Sequence, residues 1–141
     1  MKATELRIGN IVFYNSENDN NEPVRYYCTI NGADLRIMQD DENYLKSHEP
    51  IPLTLELLEY CGFSDKAYKN GYVGIDIKAG GMITDFVLTK PQVLGEFQKQ
   101  FCWEYRAGNI PFFLKLEYLH QLQNLYFALT GEELEINLEE K

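Results

Sequence analysis

The chain predicts an α+β fold, and three observations carry that reading. Two blocks of short, β-rich segments alternate apolar and polar residues. Two other segments carry helical spacing with stop signals. A proline pair between them separates a first β unit from the rest. The 141 residues are 45% hydrophobic and 13% aromatic, which suits a folded globule and argues against disorder.

The first block begins at Ile8-Gly9-Asn10-Ile11-Val12-Phe13-Tyr14, an apolar run read as a strand. The polar run 15–22 has little to bury and is a loop. Pro23 to Ile30 is a second strand, rich in β-formers. Asn31-Gly32 is the strongest two-residue hairpin signal in the chain, so Ala33 to Met38 is expected to return as a third strand. Asp40 to Asn43 then turns. Several short strands within about fifty residues predict a small, strongly bent sheet of the SH3-like kind. So few residues bury little surface, so this unit, residues 1–50, is expected to pack with residues 51–141 as one globule.

Glu49-Pro50-Ile51-Pro52 is the joint, because two prolines keep the chain extended and bar a helix before Leu53. Thr54 is placed to cap a helix over 54–61, with Glu56 in its first turn. Leu55, Leu58 and Cys61 are expected on its buried face and Gly62 at its stop. Residues 72–118 read as an antiparallel meander. Val73, Ile75 and Ile77 share one face of its first strand, which turns at Ala79-Gly80-Gly81 into a strand over 83–89. Lys90 to Gly95 is a wider connection. A strand over 96–105 sets Phe97, Phe101, Trp103 and Tyr105 opposite Glu96, Gln98, Gln100 and Glu104. Residues 106–109 turn, and Phe112, Leu114, Leu116 and Tyr118 share the next face, opposite Phe113, Lys115 and Glu117. The last element is a helix over 119–130 ending near Gly131. Tyr118, Leu122, Leu125 and Leu129 form a stripe expected to cover the meander. The helices over 54–61 and 119–130 are the two layers over that sheet.

The formal charge is -9, and the 13 lysines and arginines form no stripe. Such a surface repels phosphate backbones and anionic lipid, so neither nucleic acid nor membrane is an expected partner. No segment has the length of a membrane span or the apolar core of a signal peptide, which points to the cytoplasm. Cys28, Cys61 and Cys102 lie far apart with no paired spacing, which reads as free thiols and not as a metal set. Glu132, Glu133, Glu135, Glu139 and Glu140 against Lys141 leave a local charge of -4. This end is first a solubilising tail, second a docking surface for a basic partner, and third a nucleic-acid mimic.

Three phrases, Leu6-Arg7-Ile8-Gly9-Asn10, Glu49-Pro50-Ile51-Pro52-Leu53-Thr54 running to Gly62-Phe63, and His120-Gln121-Leu122-Gln123-Asn124-Leu125-Tyr126 with Leu129-Thr130-Gly131, bring the chain close to a known group. In this order and spacing it resembles a family of small uncharacterised proteins of phages, prophages and mobile elements of gut anaerobes. The resemblance implies accessory, phage-linked biology and carries over no activity, cofactor or catalytic residue.

No Ser-His-Asp or Cys-His pattern is apparent, so no catalytic residue is assigned and no cofactor is expected. Asp40-Asp41-Glu42 lacks the oxygen spacing and glycine of a calcium loop, and Gly80-Gly81 lacks the lysine of a phosphate loop. The candidate binding residues are His120, Gln121, Gln123 and Asn124, where strand turns into helix. His120 at a helix start favours the neutral ring, which could read a ligand or accept a backbone N–H and fix the corner. Phe113 joins them as an aromatic interrupting a polar sheet face. The leading expectation is a non-enzymatic module that binds a protein partner through acidic and aromatic surface. The alternatives are a ligand-binding protein or enzyme centred on His120, and a nucleic-acid mimic.

Overall fold

A computed structural model describes residues 1–64, 72–79, 82–89, 103–106 and 113–138, and its fold is α+β. The chain divides into two compact units. The first holds Met1–Pro52 and Tyr118–Leu125; the second holds Leu53–Glu117 and Tyr126–Lys141.

In the first unit, a 3-10 turn at Ala3–Glu5 precedes strand β1, Ile11–Glu17. Strand β2, Pro23–Thr29, pairs with it antiparallel over seven residues. The turn between them is held by Asn18, whose Oδ1 accepts from Asn20 N and Glu22 N, with Asn21 at φ 59°. The expected third strand is instead a helix, α1, Gly32–Asp40. The cause is a capping box. Asn31 Oδ1 accepts from Asp34 N (3.0 Å) and Asp34 Oδ2 accepts from Asn31 N (2.9 Å). A hairpin turn at Asn31-Gly32 needs left-handed backbone, and neither residue adopts it. Leu35 and Met38, at i and i+3, then face the core; the period-two spacing of Leu35 and Ile37 misleads, since Ile37 is exposed.

The Asp40–Asn43 turn is likewise helical. Asp41 caps α2, Glu42–Lys46, through Asn43 N and Tyr44 N. A two-residue strand, β3, His48–Glu49, closes a sheet of order β2-β1-β3. A three-stranded sheet with two helices thus replaces the bent all-strand sheet. Leu6, Val12, Ile30 and Met38 form its core.

In the second unit, Thr54 Oγ1 accepts from Leu57 N (3.1 Å) and caps α3, Leu55–Tyr60. Leu58 and Cys61 are buried as expected, but Leu55 is 41% exposed and Leu57 takes its place. Gly62 ends the helix at φ 85°. Strands β4, Tyr72–Ala79, β5, Met82–Thr89, β6, Trp103–Arg106, and β7, Phe113–Leu116, form an antiparallel meander in sequence order. Phe86 on β5 is its aromatic centre, with ring centroids of Tyr105 at 4.7 Å and of Phe63 and Tyr126 at 5.8 Å. Trp103 is buried, and its Nε1 donates to Leu53 O (3.2 Å). Leu116 is buried, whereas Leu114, expected on the same dry face, is 36% exposed. The expected turns at 80–81 and 107–109, the connection 90–95, residues 96–102, Phe112 and residues 139–141 lie outside the described residues.

Helix α4 spans Leu119–Thr130. Its buried residues are Leu119, His120, Leu122 and Gln123, while Leu129 of the expected stripe is exposed. The residues up to Leu125 belong to the first unit and those from Tyr126 to the second. No helix among the described residues is long and apolar enough to cross a membrane.

Candidate functional site

Two of the polar residues at the start of α4, Gln123 and Asn124, are bonded to the segment that leads into β1. Gly9, at φ 94°, kinks the chain just before β1, and Asn10 Oδ1 accepts from Arg7 N (2.8 Å). Gln123, 2% exposed, lays its carboxamide along that kink. Its Nε2 donates to Gly9 O (3.1 Å) and its Oε1 accepts from Ile11 N (2.9 Å), as the peptide group of a neighbouring strand would. Asn124 Oδ1 accepts from Asn10 Nδ2 (2.9 Å), and its Nδ2 donates to Glu5 O (3.0 Å). Arg7 Nη2 donates to Gln123 O (3.2 Å). Gln121 Oε1 reaches back to Tyr118 N (3.1 Å), the N3-to-cap half of a capping box.

These contacts make Gln121, Gln123 and Asn124 parts of a half-buried corner, with Gln123 alone fully buried. Buried backbone groups must find partners, and Gly9 O and Ile11 N find theirs in Gln123.

His120 is different. It is 1% exposed, and neither ring nitrogen has a hydrogen-bond partner among the described residues. The backbone N–H expected to be accepted by the ring is therefore absent there. The ring stacks on Tyr118, centroids 5.9 Å apart at 10°. Burial pushes its pKa below the ordinary value, which the Glu5 carboxylate partly offsets, so the neutral ring is favoured. Of Phe113, the described part is its backbone, which on β7 pairs with Arg106 of β6.

A cavity lies elsewhere, within the second unit. Its volume is about 210 Å³, and its lining includes Tyr60, Ile75, Tyr126, Glu132, Glu133 and Glu135. Gly131, at φ 73°, ends α4, and Thr130 Oγ1 accepts from Glu132 N (3.1 Å). The chain then runs back to α3, where Asn137 N donates to Tyr60 O (3.1 Å). Leu134 is buried between exposed glutamates. Of residues 132–137, Leu134 is buried while Glu132, Glu133 and Glu135 stay exposed along one side of this cavity. Burial first, then the Glu132 and Glu135 carboxylates, raise the pKa of Tyr126. The phenol stays neutral, a donor beside carboxylates.

Sequence reasoning missed Tyr60 and Tyr126 as lining residues. The available signal was Leu134, a lone large apolar residue in an acidic run, which marks a segment that packs back.

No family model, curated protein or solved structure matches the chain.

Proposed function

We propose that this chain is a non-enzymatic protein-interaction module that holds a basic segment of a partner protein in the Tyr60–Tyr126 cavity. The observation that carries this reading is the composition of that cavity: two tyrosines and three glutamates around about 210 Å³. Aromatic faces attract ammonium and guanidinium groups, and carboxylates at the rim steer them in. The net charge of -9 adds a long-range field of the same sign. The resemblance to phage and mobile-element proteins supports a cytoplasmic accessory role.

The test is titration of the full chain with lysine- and arginine-rich peptides, followed by tyrosine fluorescence and calorimetry. Binding should weaken steeply with salt and fall at least about tenfold, or 1.4 kcal/mol, in the Glu132→Gln/Glu135→Gln variant. Binding that ignores both changes counts against the cavity.

A second reading, a small ligand held at His120, is supported by the two ring nitrogens, which have no partner among the described residues. The amides of Gln123 and Asn124 are committed to backbone and to Asn10, which leaves His120 as the one member of that set with open hydrogen-bonding capacity. Shifts of the His120 ring resonances on adding a metabolite mixture would support it; unchanged resonances would sink it.

A further inference from the structure

We propose that β2 is a self-association edge, pairing antiparallel with β2 of a second copy about a two-fold axis at Tyr26. Among the described residues strand β2 is the outer strand of its sheet, and its seven consecutive pairs with β1 contain no bulge. The register settles which peptide groups face outward. Ile30 N donates to Asn10 O and Asn18 N to Glu22 O, so the even-numbered residues of this strand turn their peptide groups toward β1. Arg25, Tyr27 and Thr29 turn their N–H and C=O groups to the open edge, where Pro23 offers only its carbonyl. Open edges are commonly guarded by a charged side chain. The only charge on β2, Arg25, leans the other way, bonded to Glu49 (2.7 Å) and Asn15 (3.0 Å) and lying over the Phe13 ring at 4.8 Å. The large side chains left exposed are Tyr26 (54%) and Tyr27 (41%).

The sequence Pro23-Val24-Arg25-Tyr26-Tyr27-Cys28-Thr29 complements itself about its centre. Each Arg25 then exchanges both hydrogen bonds with Tyr27 of the second copy. Each Thr29 N–H meets a Pro23 carbonyl, whereas each Thr29 carbonyl faces a proline nitrogen that has no proton to give, so the two-way exchange is confined to Arg25 and Tyr27. On one face the stacked Phe13–Tyr27 pair continues onto Arg25 of the second copy, a cation–π neighbour. On the other, Val24 meets Cys28 and Tyr26 meets Tyr26. This register pairs the strand except at the two Thr29 carbonyls and keeps the two Arg25 charges off one another. An extended segment of a different protein has no such match to satisfy.

Sedimentation of the full chain tests this. The wild type is expected as a dimer at micromolar concentration, with association that tightens as salt screens the two -9 charges. Tyr26→Lys, which sets like charges on the axis, should weaken it at least about tenfold while leaving the melting of the dilute, dissociated chain unchanged. Val24→Cys should form an intermolecular disulfide with Cys28 under mild oxidation, because directly opposed residues at this kind of pair lie at about 4.5 Å between Cα atoms. A monomeric wild type overturns the proposal and leaves the edge to another protein or to none. A dimer that survives Tyr26→Lys and gives no such disulfide overturns it equally, placing the contact elsewhere.

Discussion

Asn10 and Asn124, 114 residues apart, are joined by a single hydrogen bond, Asn10 Nδ2 to Asn124 Oδ1 at 2.9 Å. With Gln123 bridging Gly9 and Ile11, this bond makes the first and last recognition phrases two halves of one corner. Their joint presence in the sequence has a structural explanation that needs no ligand.

Gln123→Ala should be among the most destabilising single changes to the corner. It leaves Gly9 O and Ile11 N unsatisfied in a half-buried place, at about 1–3 kcal/mol for each group. Urea denaturation should show a loss of about 2–4 kcal/mol. A double-mutant cycle on Asn10→Ala and Asn124→Ala should give a coupling of about 0.5–3 kcal/mol, and additivity would contradict the direct bond.

His120 predicts an acid-sensitive fold. Its native pKa lies below the ordinary 6.5, so the unfolded chain binds the proton more readily. Stability from this group is intact above about pH 6.5 and declines as pH falls from there toward the native pKa. His120→Leu removes a buried polar ring that has no partner among the described residues, and should raise stability at neutral pH by about 1 kcal/mol. Denaturation midpoints between pH 7.5 and 5.5 should fall less in this variant than in the wild type.

Asp34 serves two elements, since its Oδ2 closes the α1 capping box and its Oδ1 accepts from Tyr44 OH at 2.7 Å. That bond is the largest cause pushing the Tyr44 phenol up to about 12. The raised pKa contributes stability present below the unfolded value near 10 and lost as pH rises toward 12. Asp34→Ala should cost about 1–3 kcal/mol, and spectrophotometric titration should find Tyr44 ionising closer to 10.

Gly62→Ala tests the stop of α3. The residue is left-handed at φ 85°, and an added Cβ would sit 3.3 Å from Ile75 Cδ1. A loss of about 1–2 kcal/mol in thermal unfolding is expected, larger than for alanine at Gly131, whose added Cβ meets nothing within 4 Å.

Much of the fold was legible because its signals are local. The Thr54 cap, the Gly62 stop, the period-two strands of the meander and the span of α4 depend on residues within a few positions of one another. The exception at 31–38 is also local in origin. Asn31 and Asp34 signal a helix start as well as Asn31-Gly32 signals a hairpin, and in the fold the capping box closes while Met38 is buried and Leu35 packs partly buried against the core. The candidate site divided in the same way. Gln121, Gln123 and Asn124 stood out in the sequence, but their partners, Tyr118 apart, lie more than a hundred residues away.

Taken alone, the sequence determined an α+β chain with its caps, stops and strand alternation, because those follow from backbone sterics and local hydrogen bonding. Tertiary structure decided what the polar residues are for. It turned Gln123 and Asn124 into surrogate backbone partners, buried His120 without one, and drew Glu132–Asn137 back to wall a cavity beside Tyr60 and Tyr126. The physical reason is that a buried polar group must be satisfied by whatever the fold brings near it, and that neighbour is not written in the adjacent sequence.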